Sequence, residues 1–476
     1  MNHFSLSKPI DRGNENPPDS PSDCSTFSID SKVIQTQLPL KCSVSGDEIS
    51  VSSQRSNRGF WRNQLLKRFR QLQDANVQLV ELLENQISIS QVGADEQSNL
   101  KATVVVKDQD FFKRILLGGT IGSAESYIDG QWASDDLTTL IRIMIRNLDR
   151  FKKLEKGWAW LKNVRYLFHH RWRRNSIHGS RKNIRDHYDL GNDFYELFLD
   201  PTLNYSSGIF EPGRLAAGVP ERQEMEAASI RKMDLVCRKL QLGPKDHVLE
   251  IGTGWGGLAI YMAQHYGCRV TTTTISKQQH AKALERVAAA GLSDQVSILL
   301  KDYRELSGKF NKIVSIEMIE AVGHQYYDEF FSCCTKLLTD DGAMLLQAIT
   351  MGEQNFEYHK KHVDFIRKYV FPGGCLPSVT ALASSVARVT EMRMLHQADI
   401  SPHYVKTLQH WRLQFMSNLE NVRELGYEDS FVRLWHFYLC YCEAAFAERR
   451  VHNVHLLFAK SQCTLDLSGG DPDVGL

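Results

Sequence analysis

Asp246-His-Val-Leu-Glu-Ile-Gly-Thr-Gly-Trp-Gly-Gly-Leu-Ala-Ile-Tyr261 is the stretch that decides the fold. The apolar run Val248-Leu249-Glu250-Ile251 reads as a short buried strand with a carboxylate near its end. Gly252, Gly254, Gly256 and Gly257 follow, and then Leu258, Ala259, Tyr261 and Met262 open a helical pattern. A strand, a glycine turn and a helix start place backbone N–H groups and the positive helix end round a small cofactor. A Cβ here would block a ligand lying against the main chain. Gly252, Gly254 and Gly257 also satisfy Gly-x-Gly-x-x-Gly, so the loop alone admits a dinucleotide enzyme.

Outward from this loop, short β-rich runs alternate with helical patterns. His247–Ile251, Arg269–Thr274, Val296–Leu300, 312–316 and 343–349 read as strands, and 221–240, 258–266, 277–290 and 326–338 as helices. The alternation predicts an α/β fold, a Rossmann-like parallel sheet with helices on both faces. Ligands of such sheets bind beyond the carboxyl ends of the strands, where the glycine turn lies. The stretch 399–458, with Trp411, Phe415, Trp435, Phe437, Tyr438 and Tyr441, reads as a helical, aromatic cover. Residues 186–460 thus make the expected catalytic domain, followed by a flexible tail over 461–476. Upstream, 59–150 reads as a small α+β domain. It has helical spacing over 61–72, apolar segments at 77–83 and 102–106, the stretch 111–120 and a helix around 137–148. Residues 1–58 are rich in Ser, Asn, Asp, Pro and Gln and read as a disordered leader.

The 476 residues are 42% hydrophobic and 24% charged with a net charge of +1. That balance suits a soluble globular chain and gives no global pull toward nucleic acid or anionic lipid. Ten cysteines are scattered without a Cys-x-x-Cys pair, against a metal site or disulfide framework and for a reducing cytoplasm. No run nears the roughly 18 apolar residues of a membrane span. The first ten residues lack the basic and apolar regions of a signal peptide. A cytoplasmic protein is expected, peripherally associated at most with the inner membrane surface. The segment 151–185 offers the contact: Lys152, Lys153, Trp158, Trp160, Arg171, Trp172, Arg173 and Arg174 interleave cations with rings. This suits a phospholipid bilayer surface, although a solvated linker or a nucleic-acid contact has the same composition. No nucleic acid is expected as a partner; a homo-oligomer is compatible with the sequence.

An NAD enzyme would place an acid after the second strand, about 20 residues beyond the glycines. Here Arg269–Thr274 runs into Ile275-Ser276 without one, and Thr274 and Gln279 offer a hydroxyl and an amide. The third strand leads to Asp302-Tyr303-Arg304, where an acid and a ring suit an adenine amine and face. The pattern favours S-adenosyl-L-methionine over NAD.

Several motifs carry a resemblance to one family. They are His187-Tyr-Asp-Leu-Gly-Asn-Asp-Phe-Tyr195, Phe198-Leu-Asp-Pro-Thr-Leu-Asn-Tyr-Ser-Ser207, the glycine loop, Ser315-Ile-Glu-Met-Ile-Glu-Ala-Val-Gly323 and Asp364-Phe-Ile-Arg-Lys-Tyr-Val-Phe-Pro-Gly-Gly-Cys-Leu-Pro377. Together they resemble the cyclopropane-fatty-acyl-phospholipid synthases, including the mycolic acid cyclopropane synthases, from about 185 to 458 and less sharply through 100–150. The resemblance implies a class I methyltransferase fold. It also implies methyl transfer from S-adenosyl-L-methionine to the cis double bond of an unsaturated phospholipid acyl chain. A bound bicarbonate would then remove a proton so that a cyclopropane closes. Matched by position, Glu320 would accept the bicarbonate O–H, Tyr404 would donate to it and Ile349 would offer backbone contact. Tyr205, Ser206, Gly252 and Gly254 would meet the methionine part of the cofactor. Thr274, Ile275 and Gln279 would meet its ribose and adenine, with Glu250, Asp302 and Tyr303 in the same site. Two positions depart: Ser207 stands where many bacterial members have Cys, and Gln347 where they have His. Both keep a hydrogen-bonding group, and both admit another ending for the carbocation, a methylene- or methyl-branched chain. Apart from the resemblance, Glu317 and Glu320 read as acids at a helix N-terminus. A small-molecule methyltransferase and a lipid-binding protein with a decayed site remain as alternatives; the intact glycine loop speaks against the second.

Overall fold

The computed structural model describes residues 54–466 apart from 84–85, 94, 96, 149 and 151–189. Residues 1–53 of the leader, the basic segment 151–185, Tyr188 and the tail beyond 466 lie outside the described residues, whereas the leader's last five residues, 54–58, fall in the first helix rather than in a disordered stretch. The chain opens with helix α1 (Gln54–Phe69), then strands β1 (Asn76–Leu83), β2 (Gln86–Val92) and β3 (Lys101–Val106). Helix α2 (Asp110–Ile128), strand β4 (Trp132–Ser134) and helix α3 (Leu137–Arg146) complete this part. Its sheet runs β2-β1-β3-β4. Strand β2 has no counterpart in the expected elements. It alternates, but Ile87 and Ile89 point to solvent (63% and 50% exposed), so its apolar residues do not mark a core face. Gly119, at φ 55° and ψ −138°, breaks α2. A Cβ at Gly122 would lie 2.2 Å from the Arg114 carbonyl oxygen, so the turn depends on a residue without one.

After 189 come α4 (Asn192–Glu196) and α5 (Arg222–Lys239), whose start is closed by a capping box between Glu221 and Glu224. The alternation follows: β5 (His247–Ile251), α6 (Gly257–Tyr266), β6 (Arg269–Thr274), α7 (Lys277–Ala289), β7 (Val296–Leu300), β8 (Phe310–Ile316), α8 (Tyr327–Leu337) and β9 (Leu338–Met351). Helices α9 (Glu353–Lys361) and α10 (Val379–Val389) lead to strand β10 (Arg393–Asp399). Helices α11 (Ser401–Ser417), α12 (Leu419–Glu424) and α13 (Asp429–Ala447) precede the last strand, β11 (Val451–Ala459). The seven-stranded sheet has the order β10-β11-β9-β8-β5-β6-β7. Strands β5 to β9 are parallel, as expected, and β11 inserts antiparallel beside β9, with Val454 opposite Ala348.

The stretch 399–458 is therefore not helical throughout. Val451–Ala459 has β-branched and aromatic residues buried on both faces, which a strand inside a sheet requires. Both sheets' surroundings share one core: Val104, Phe112 and Trp132 belong to the same buried cluster as Phe194, Trp411 and Trp435. Polar contacts follow the same seam. Glu448 accepts from Arg142 and Arg146, and the Tyr127 hydroxyl lies 2.8 Å from His436 Nδ1. Glu125 of α2 accepts from Lys368 and, at 2.7 Å, from the Tyr369 hydroxyl in the Ile366–Val370 turn. Glu125→Ala is expected to raise amide exchange selectively in Ile366–Val370 while β5 to β7 stay protected. Hydrogen-exchange mass spectrometry reads this directly.

Candidate active site

Strand β5 carries Glu250 one residue before its end, and the chain turns through Gly252, Gly254 and Gly256, whose φ angles of 107°, 52° and 83° favour glycine. A Cβ at Gly254 would meet nothing within 4 Å, whereas one at Gly257 would stand 2.6 Å from the Thr202 carbonyl oxygen. The loop therefore packs backbone to backbone on one side and opens on the other. It opens into a cavity of about 1310 Å³, lined by Tyr205, Ser206, Glu250, Gly252, Gly254, Thr274, Ile275, Gln279, Asp302 and Tyr303. These are all ten residues expected round the cofactor, so the lining fits an adenosine-bearing ligand. Thr274 Oγ1 donates to Gln279 Oε1 at 2.9 Å, fixing the amide after β6. Asp302 is held by its neighbour Arg304. Its two oxygens accept from Arg304 Nε at 2.8 Å and Nη2 at 2.7 Å, and it caps its own turn. Arg304 thus braces a carboxylate that lines the cavity and keeps an acceptor position on Oδ2.

At the carboxyl end of β8 the geometry departs from expectation. The Ser207 N–H (3.1 Å), Gln347 Nε2 (2.8 Å) and Asn453 Nδ2 (2.6 Å) all donate to Glu317 Oε1, and the Tyr404 hydroxyl (2.8 Å) donates to Oε2. Three of the five residues expected round a bicarbonate, Ser207, Gln347 and Tyr404, converge instead on a carboxylate of the chain itself, joined by Asn453, while Ile349 pairs with Glu320. Tyr404 does not donate toward a group on Glu320, and Gln347 and Ser207 do not face the cavity: both are fully buried behind Glu317. Gln347 is oriented in turn by His455, 3.0 Å from its Oε1, and the Ser207 hydroxyl donates to the Gly208 carbonyl. Bicarbonate does not fit among these donors, because Glu317 already occupies them.

Glu317 has φ 47°, a left-handed conformation that costs a residue with a Cβ roughly 1–2 kcal/mol. Its own N–H donates to the Gln347 carbonyl at 2.8 Å, which locks that turn. Burial pushes the carboxyl above its ordinary range, and the donors from Ser207, Tyr404, Asn453 and Gln347 pull it back. Glu320 is placed differently. One oxygen accepts from the Ile349 N–H, and the other is buried with no partner. Burial, then the neighbouring Glu317 charge, pushes its carboxyl up to about 8. Glu317, Glu320, Tyr404 and Ile349 line the cavity.

Tyr404→Phe leaves Glu317 Oε2 without its donor and spares the ring. A hydrogen bond to a charged group is worth about 1.5–3 kcal/mol, so kcat/KM is expected to fall about 10- to 100-fold. Its acid limb should move to higher pH, because the ionised carboxylate loses stabilisation. A pH profile of the variant checks both.

Aromatic side chains close the other walls. The Tyr205 and Tyr438 hydroxyls lie 2.8 Å apart, and Tyr205 stacks on Trp411 at 5.2 Å. Tyr404 packs on Phe446 at 4.6 Å, and Tyr441 and Phe371 also face the cavity. Phe194 and Tyr195 lie behind this wall, packed on Trp435 rather than on the cavity. The cavity continues along Leu116, Leu117 and Ile121 of α2 and along Ile145 and Leu148. The sequence singled out Glu317 only as a helix-end acid, and Asn453 not at all. Glu317 draws its four donors from positions 30 to 136 residues away, a separation that no local pattern signals.

The sequence pattern of mycolic acid cyclopropane synthetase matches residues 175–456. The chain is 38% identical over 334 residues to tuberculostearic acid methyltransferase UfaA1 of Mycobacterium tuberculosis, covering 70% of this chain and 77% of that protein. It is 35% identical over 384 residues to the cyclopropane-fatty-acyl-phospholipid synthase of Escherichia coli K12, covering 78% and 91%. Among solved structures, mycolic acid cyclopropane synthase CmaA1 in complex with SAH and CTAB superposes with a TM-score of 0.53 at 30% identity. That match covers 59% of this chain and 98% of that one.

Proposed function

The chain belongs to the mycolic acid cyclopropane synthetase family of S-adenosylmethionine-dependent methyltransferases, and on that premise we propose that it methylates the cis double bond of a phospholipid acyl chain, with Glu317 as an internal base in place of bicarbonate. The observation that carries this reading is the Glu317 carboxylate, held by four donors where the cofactor loop meets an aromatic-walled cavity. S-adenosylmethionine at the loop supplies an electrophilic methyl, which the π electrons of the double bond capture, leaving a cation on the neighbouring carbon. The faces of Tyr205, Tyr404, Tyr438 and Phe446 suit that cation. Glu317 accepts a proton from the added methyl, and the freed C–H pair closes onto the cationic carbon as a cyclopropane. Ser207, Gln347, Asn453 and Tyr404 keep the carboxylate fixed and aimed, so it needs no reorganisation as charge develops.

A methylene-branched product is the second reading. It is favoured by the departures at Ser207 and Gln347 and by the 38% identity to a protein named for a methyl-branched acid. It uses the same proton transfer, preceded by a hydride shift between the two former alkene carbons. The test is mass spectrometry of lipids from a host expressing the chain and fed trideuteromethyl-methionine. Two of the three deuteriums should remain in the product, and fragmentation then separates ring from branch. Retention of all three would show that no proton leaves the added methyl, which would remove the base role. Because Glu317 works ionised and its carboxyl is pushed up by burial, turnover should be lost as pH falls through a limb above the usual carboxylate range. That limb should be absent from the residual activity of Glu317→Gln.

A further inference from the structure

Strand β11 serves Glu317 twice. Asn453 and His455 stand two residues apart, so they share one face of the strand. Asn453 Nδ2 donates to Glu317 directly at 2.6 Å, whereas His455 stands one group further back. It pairs with Gln347 across the β11–β9 ladder, and its Nε2 lies 3.0 Å from Gln347 Oε1. On the other side of the ring, Lys239 of α5 places its Nζ 3.4 Å from Nδ1. Lys239 and His455 are 1% exposed and Gln347 not at all, so no water competes for these contacts.

The three contacts run in one direction. Burial pushes the Lys239 ammonium down to about 8, and it keeps its proton at neutral pH. An ammonium can only donate, so it takes the lone pair at Nδ1 and leaves the ring hydrogen on Nε2. Burial, and then Lys239, Lys232, His396 and His403 around the ring, push His455 well below its ordinary range and keep it neutral. Nε2–H then donates to Gln347 Oε1, which turns the amide so that its Nε2 donates to Glu317 Oε1. The reversed amide would set its oxygen against the carboxylate. We propose that His455, its tautomer set by Lys239, is a positioning residue for the base and acts on Glu317 by holding the Gln347 amide in the donating orientation. The proposal rests on the reading of Glu317 as the base.

A double-mutant cycle on the pH profile of turnover tests it. His455→Phe keeps a ring and removes the donor to Gln347. Turnover should fall about tenfold, the scale of one weakened hydrogen bond to a charged group. The ionised carboxylate loses stabilisation, so the acid limb should rise by about one pH unit. S-adenosylhomocysteine affinity should stay within about threefold. In a Gln347→Leu background the same change should move neither rate nor limb, because the group through which His455 acts is gone. Equal losses in both backgrounds would make His455 structural and overturn the proposal, as would an unmoved limb. Lys239→Met should shift the limb the same way by less, and it takes the place of His455→Phe in the cycle if that variant does not fold. A limb that persists in Glu317→Gln would remove the base reading and the proposal with it, a result distinct from the others.

Discussion

Glu317→Gln should lower turnover about a thousandfold, within the range that positioned general-base groups contribute, while S-adenosylhomocysteine affinity stays within about threefold. The amide keeps the shape of the side chain but cannot take a proton at the reacting carbon. It also brings an N–H₂ into a cluster where Ser207, Gln347, Asn453 and Tyr404 already donate, so one or more of those donors loses its acceptor. Single-turnover rates with labelled cofactor, beside calorimetric binding, separate the two effects. Glu320→Gln provides the contrast. Its carboxyl is pushed up to about 8, so near neutral pH it is mostly protonated and the amide is a close mimic. A fall of about tenfold or less is expected there. A collapse at Glu320 with a mild effect at Glu317 would reverse their roles.

Gly257→Ala is the second large effect, and it acts on binding rather than on chemistry. The added Cβ would stand 2.6 Å from the Thr202 carbonyl oxygen and 3.1 Å from Asn204 Nδ2, and the first of these is backbone that cannot rotate away. Either α6 moves off the 200–206 loop or that loop moves off the cofactor site. Overpacking of this kind costs about 1–3 kcal/mol. Tm should fall by several degrees, and S-adenosylhomocysteine affinity should drop more than tenfold. Gly254→Ala is the control for steric cost, since its Cβ would meet no protein atom within 4 Å. It should leave Tm nearly unchanged apart from the strain of φ 52°.

The parallel half of the large sheet was legible because its strands are short apolar runs bounded by helical patterns. Expected and observed limits of β5, β6 and β7 coincide. Strand β11 was not legible because it follows the aromatic helix α13 almost directly and is buried along nearly its whole length, polar Asn453 and His455 included, so no alternation marks it as a strand. The cofactor cradle was legible for a different reason: strand, glycines and helix start are contiguous, and contiguity is what a sequence displays. The anion site is the opposite case. Ser207, Glu317, Gln347, Tyr404 and Asn453 come from five separate segments, and only folding shows that four of them serve the fifth. Ser207 and Gln347 were legible as departures from a pattern. That the Gln347 side chain and the Ser207 main chain both hold Glu317 was not.

The measurement that bears most directly on the internal base is turnover with bicarbonate removed and restored, in the unaltered protein and in Glu317→Gly. Glycine relieves the φ of 47° and opens the space between the four donors. The unaltered protein should turn over equally in carbonate-free buffer and in added bicarbonate. Glu317→Gly should be nearly inactive without the anion and should regain activity as bicarbonate is titrated in. An unaltered protein that stops when bicarbonate is removed would contradict the account.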